Sequence, residues 1–169
     1  MEYELKAISK EAIAEATAKA DWYRLLNEPG EAESICRDVL AVDPEEQTAL
    51  RLLGLAITDQ FTGEPSDRRA EAEATFERLL SPYERLYYIG IARERVAKAQ
   101  LAAGRPPHRL IVLFEDALAW FERAEQIRPA GNDDAILRWN RCVRILRSLS
   151  VSEREQEHAH FEPTDSPPL

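Results

Sequence analysis

The sequence predicts an all-α protein of about seven helices, and three observations carry the prediction. Of its 169 residues, 44% are hydrophobic and 31% charged. Ala, Leu, Glu and Arg, all strong helix formers, dominate, while β-branched runs are almost absent. Apolar residues recur every three or four positions along most of the chain, the period of one helix face. Proline and glycine fall between the periodic stretches, at Pro29-Gly30, Pro44, Gly63-Glu-Pro65, Pro82, Gly104-Arg-Pro-Pro107 and Pro129. There a missing amide or a free φ ends a helix. A domain near this length buries roughly 70% of its extended-chain surface, so one domain over 1–150 is expected, followed by a tail over 151–169.

The first helix is expected from about Glu4 to Leu26, with Leu5, Ile8, Ala12, Ala16, Ala20 and Tyr23 on one face. Asn27-Glu-Pro29-Gly30 ends it. The second, about Glu31 to Val42, turns Ala32, Ile35, Cys36 and Val39 to one side. Asp43 can cap a third helix with Pro44 in its first turn. That helix reaches about Gln60 and carries Leu50, Leu53, Gly54 and Ile57. A long turn over 61–67 leads to a fourth helix, Arg68 to Leu80, with Ala72, Phe76 and Leu79. Ser81-Pro-Tyr-Glu84 has the pattern of a capping box, in which Ser81 accepts from the amide three residues on and Glu84 reaches back. It starts a fifth helix that runs to about Ala103 through Leu86, Ile89, Gly90, Val96 and Leu101.

The sixth helix, about His108 to Arg128, sets Ala117, Phe121 and Ala124 on one stripe, two small residues flanking a ring so that a neighbour can approach closely. Pro129 stops it. Gly131-Asn-Asp-Asp134 can cap a seventh helix to about Leu149, with Ile136, Trp139, Val143 and Leu146 facing inward. Beyond Val151 the text turns charged and then proline-rich, and disorder is expected after at most a short helical turn.

The pattern Ala117-x3-Phe121-x2-Ala124-x4-Pro129 has counterparts upstream. Leu53-Gly54 with Ala72 and Phe76, and Ala20 and Tyr23 with Ala32 and Cys36, occupy matching places, and Ile89-Gly90 repeats Leu53-Gly54. Taken together these residues resemble the tetratricopeptide repeat family, whose unit is a helix–turn–helix of about 34 residues. The resemblance covers about Ile13 to Leu149, with repeats near 13–46, 47–82 and 83–129 and a capping helix over 132–149. It departs from the pattern at Cys36, where an aromatic is usual, and at Arg93, where a tyrosine is. The third pair is longer than the template by about fifteen residues, or roughly two turns on each helix.

The resemblance implies a right-handed superhelix in which the first helices of successive pairs line a concave groove for peptides or partner helices. It places Arg51, Leu52 and Leu55 of the third helix beside Tyr87, Tyr88 and Ile91 of the fifth in that groove. Aromatics with an arginine are usual interface anchors, burying much area at little rotamer cost. Members of the family that capture acidic carboxyl-terminal tails use lysine, asparagine and arginine at set groove positions. The matching places here hold Thr17, Asp21, Leu52, Glu84 and Tyr88, which implies an apolar or mixed ligand instead.

Charge and motif content narrow the function classes. With 22 Lys and Arg against 31 Asp and Glu, the net charge of −9 repels phosphate backbones and anionic membranes, so no nucleic-acid or membrane partner is expected. The 6 glycines are scattered and no strand precedes them, which is incompatible with a phosphate-binding loop. No G-x-S-x-G occurs, the 3 histidines sit in a turn or the tail, and neither catalysis nor a cofactor is expected. Glu155-x-x-His158 and Glu157-x-x-His160 have the spacing of di-iron bundles, but both lie in one polar tail rather than on two interior helices. Cys36 and Cys142 sit in apolar patterns without zinc spacing. Lacking a leader pattern or an 18-residue apolar run, the chain is expected to be cytoplasmic.

A second candidate surface is Leu110-Ile111-Val112-Leu113-Phe114, because a helix cannot turn five successive residues toward one neighbour. Either the seventh helix covers it or it serves self-association as a homodimer. The function expected is non-catalytic binding of a protein or peptide, as an adaptor or scaffold. The alternatives are a dedicated small acidic chaperone and a helical metal protein using the tail histidines.

Overall fold

Helices stop where the backbone can no longer propagate, and the proline and glycine positions divide this chain accordingly. The computed structural model describes residues 3–159, with side chains through 150. Its helices are α1 (Ile13–Leu25), α2 (Pro29–Val42), α3 (Gln47–Asp59), α4 (Arg69–Glu77), α5 (Pro82–Ala102), α6 (Pro107–Gln126) and α7 (Asp134–Ala159). The class is therefore all-α, and among the described residues there is no strand. No helix of them is long and apolar enough to cross a membrane.

The structure departs from expectation at several helix ends, and α4 stops at Glu77 rather than Leu80. The first helix begins at Ile13, after a 3-10 turn over Lys10–Ala12, and not at Glu4. Its expected first turn is unpacked: Leu5 is 95% exposed, and an unpacked helical turn does not repay its nucleation cost. Asp43 does not cap α3, because its amide closes α2 by donating to the Val39 carbonyl. Its carboxylate accepts from the Glu45 amide at 3.3 Å, which makes a turn. Glu46 takes the cap instead, accepting from the Ala49 amide at 2.5 Å. Half of the capping box forms: Ser81 accepts from the Glu84 amide at 3.3 Å, while the Glu84 carboxylate pairs with Arg51. Finally, α7 is assigned to Ala159, ten residues past the expected end at Leu149. Ser148 and Ser150 donate back to the carbonyls of Ile145 and Leu146 and sit within the helix. Residues 160–169 of the expected tail lie outside the described residues.

Each helix packs on the next, and α1 also packs on α3 and α3 on α5. The odd helices thus form one layer and their return helices α2, α4 and α6 another, with α7 laid on α6. The crossings inside the hairpins are set by residue size. A Cβ built on Gly54 would lie 2.3 Å from the Phe76 ring, and one on Gly90 would lie 2.7 Å from the Phe121 ring. Glycine is required at both, since only a bare backbone admits the ring. Ala117 and Ala124 flank Phe121, and all three are fully buried.

The third hairpin is elongated, as its sequence implies: α5 has 21 residues and α6 has 20, against 13 in α3 and 9 in α4. Short α4 leaves part of α5 uncovered, and the long turn before α4 lies there. Gln100 of α5 donates to the Gly63 carbonyl at 2.8 Å, and Asp67 accepts from the Gly63 amide at 2.8 Å. Two large buried clusters result, beside a small one of Tyr83, Ala124 and Ala135. One joins α1 to α5 around Leu50, Ile57 and Phe76, and the other joins α5, α6 and α7 around Phe114, Phe121 and Cys142. Leu55 and Tyr88 touch both.

Candidate functional site

Because every odd helix is followed by a return helix, α1, α3 and α5 run in the same direction and present their free faces to one side. An open groove of about 510 Å³ lies there. Its α1 wall carries Ala14 and Ala18, a turn apart and both exposed, whose small side chains leave space in front of α3. Thr48, Arg51, Leu52 and Leu55 supply the middle, and Tyr88 stands on the α5 side.

Tyr88 is held by other rings. It stacks on Phe76 with centroids 5.4 Å apart and meets Tyr87 edge-on at 5.0 Å. Tyr87 in turn stacks on Tyr83 at 5.7 Å and tilts toward Phe121 at 6.1 Å. The ladder links the two glycine-ring crossings, and offset contacts of this kind add about 0.5–1.5 kcal/mol each beyond area burial. Burial raises the phenols of Tyr87 and Tyr88 above their ordinary value and that of Tyr83 to about 12. All three are therefore neutral hydroxyls at physiological pH, and Tyr83 donates to Asn132 Oδ1 at 3.0 Å.

Charge is balanced at each end of the groove. At one end Arg51 meets Glu84 at 3.2 Å, both about a third exposed. At the other, Arg24 of α1 pairs with Asp21 at 3.8 Å and donates from Nε to Asp59 of α3 at 2.8 Å, and Asp59 pairs with Arg95 of α5 at 2.5 Å, two carboxylates against two guanidinium groups. A single carboxylate thus ties the three odd helices. Arg95 also donates to the Leu55 carbonyl at 3.0 Å and to the Thr58 hydroxyl. Burial lowers its pKa, against the pull of Asp59. Behind the groove, Glu94 is fully buried and is held between Lys98 and Arg138 of α7, the latter at 3.4 Å. A buried carboxylate needs both, since one charge alone in the interior is costly.

The structure sorts the expected site residues. Arg51, Leu52, Leu55 and Tyr88 meet in the groove, with Leu52, 4% exposed, serving only as floor. Tyr87 faces a separate pocket of about 230 Å³ shared with Tyr83, Pro129 and Asn132. Ile91 is not a groove residue: 2% exposed, it joins the cluster of Leu110 and Phe114. It lies three positions beyond Tyr88, and α5 uses that side of its surface to pack against α6. The second candidate surface is also corrected. Leu110 and Phe114 are buried in the cluster that includes Ile145 and Leu149 of α7, and Ile111 is half-buried. Val112, 63% exposed, is all that stays open. α7 packs on α6 and its Leu149 reaches the cluster of Leu110 near the start of α6. Among the described residues no group of three or more His, Cys, Asp or Glu could hold a metal ion. The side chains of Glu155, Glu157, His158 and His160 lie outside the described ones.

Sequence reasoning missed Arg24, Asp59 and Arg95. A signal was present, because Arg24 and Asp59 are 35 residues apart and Arg95 follows at nearly the same interval. Those are equivalent places on successive odd helices. The chain matches no family model, no curated protein and no solved structure.

Proposed function

We propose that the chain is a non-catalytic, tetratricopeptide-like binding module that holds a protein segment in the groove between α1, α3 and α5. The groove's make-up supports this reading above all: exposed alanines on one wall, Leu55 and the half-buried ring of Tyr88 opposite, and ion pairs at both ends that neutralise themselves. Such a surface offers apolar contact and hydrogen bonds without surplus charge. It suits a segment with apolar anchors better than an acidic tail or a polyphosphate, whose binding depends on unpaired cations. Fully burying one aliphatic or aromatic anchor contributes about 1.5–3 kcal/mol, so two or three anchors support a reversible adaptor or scaffold contact.

Ala18→Arg tests the reading without touching the core, because Ala18 is exposed and arginine is a good helix former. Partners captured by the native protein are expected to be lost by the variant at an unchanged melting temperature. Calorimetry with the purified partner should show at least about tenfold weaker binding. Equal binding by both proteins would place the partner elsewhere.

A further inference from the structure

Each hairpin of the stack is covered on its far side by the helix that follows: α3 lies on α1 and α2, α5 on α3 and α4, and α7 on α6. No helix of the described residues covers the near side of the first hairpin. A cleft of about 270 Å³ opens there, with Ile8, Ala12 and Ala16 on one side and Ile35 of α2 on the other. Two carboxylates, Glu15 and Asp38, and one ammonium, Lys19, rim it. None of the three has an ion-pair partner among the described residues.

The opposite end of the stack has the matching character. On α7, Leu137 is 64% exposed, and Arg141 and Arg144 follow at four and seven positions, which puts all three on one stripe. Arg147 lies beside them and is also exposed. Most arginines of this acidic chain are engaged with a carboxylate, a carbonyl or a ring. These three have no such partner among the described residues. One end is therefore an apolar cleft with a carboxylate majority on its rim, and the other a helix face with one exposed leucine among unpaired guanidinium groups.

We infer that the two ends are halves of one interface, and that a second copy of this chain docks the outer face of its α7 into the cleft beside α1 and α2. Leu137 fills the cleft between Ala12, Ala16 and Ile35, while Arg141 and Arg144 meet Glu15 and Asp38. The contact is heterologous, head to tail, so it leaves a free cleft on one copy and a free α7 face on the other. The net charge of −9 opposes growth of the array and favours short oligomers. This contact is separate from the groove and does not depend on what the groove binds.

Charge reversal of each end tests it. The double variants Arg141→Glu, Arg144→Glu and Glu15→Arg, Asp38→Arg change surface groups, and circular dichroism melts show whether each keeps its fold. In sedimentation equilibrium at low ionic strength the native chain should show an average mass that rises with concentration. Each variant alone should associate at least about tenfold more weakly. Mixed one to one, the variants should regain association, because each reversed end then meets its complement. Leu137→Ala, which changes no charge, should weaken the native association on its own. A native chain that stays monomeric overturns the inference, as does association that both charge variants retain or that mixing does not restore.

Discussion

The second and third hairpins each press a phenylalanine ring onto a glycine, whereas the first has Cys36 where the ring would be and Ala20 where the glycine would be. All six residues are buried. The two positions trade size: a large side chain needs a bare backbone opposite, and a small one leaves room for a methyl group. The same comparison extends to the surroundings. The third hairpin is closed by α7 and tied to it through Glu94 and Arg138, while the first leaves Trp22, Leu25 and Leu26 largely exposed.

The largest test removes a ring. Phe121→Ala should cost about 3–5 kcal/mol in urea unfolding, as a fully buried phenylalanine leaves a cavity beneath Gly90. A loss under about 1 kcal/mol would mean that the crossing closes up without it. Adding a ring sharpens the contrast. Cys36→Phe in the first hairpin should cost about 1–3 kcal/mol by overpacking against Ala20, and Ala20→Gly should recover part of that loss. The converse exchange in the second hairpin, Gly54→Ala with Phe76→Cys, should cost less than the sum of its two single changes.

A smaller effect separates surface from core. The side-chain hydrogen bond from Arg68 outweighs burial and, with Arg37 and Gln60, holds the Glu33 carboxyl at about 2, against an ordinary 4.5. A depressed carboxyl stabilises the fold above its ordinary value, and that contribution is lost as pH falls from 4.5 toward 2. Arg68 is 41% exposed, so solvent screening reduces the contribution to on the order of 1 kcal/mol. Arg68→Ala should be less stable than the native chain near neutrality by that amount, and the difference should vanish near pH 2. A difference that persists there would assign the loss to packing. The smallest effect is on reactivity: burial raises the thiols of Cys36 and Cys142 to about 12. Neither should react with a thiol reagent at neutral pH until denaturant is added, and fast labelling of Cys36 alone would show the first hairpin opening locally.

Much of this was legible in the sequence because helix periodicity and the Ala–Phe–Ala spacing are local statements about size and face. The resemblance to the tetratricopeptide pattern placed Leu52, Leu55 and Tyr88 on one side of the stack, and the excess length of α5 and α6 could be counted. Ile91 could not be placed, because it shares the Tyr88 side of α5, where the two clusters meet, and only the packing of α6 decides that it is buried there. Leu110 and Phe114 read as surplus apolar residues only until the length of α7 is known. The starts of α1 and α3 were misplaced for a similar reason. Leu5, in the expected first turn, had no partner to pack on, and Asp43 was already engaged in ending α2.

The sequence by itself determined an all-helical chain, its number of helices, the Ala–Phe–Ala stripe of α6 and the buried thiols, since each follows from the size, period and backbone freedom of residues close together. Only the tertiary structure decided which side of α5 meets which neighbour, that one carboxylate at Asp59 joins three helices, and where the groove lies. Those depend on distances between helices far apart in the chain, which relative rotation and packing set and no local pattern encodes.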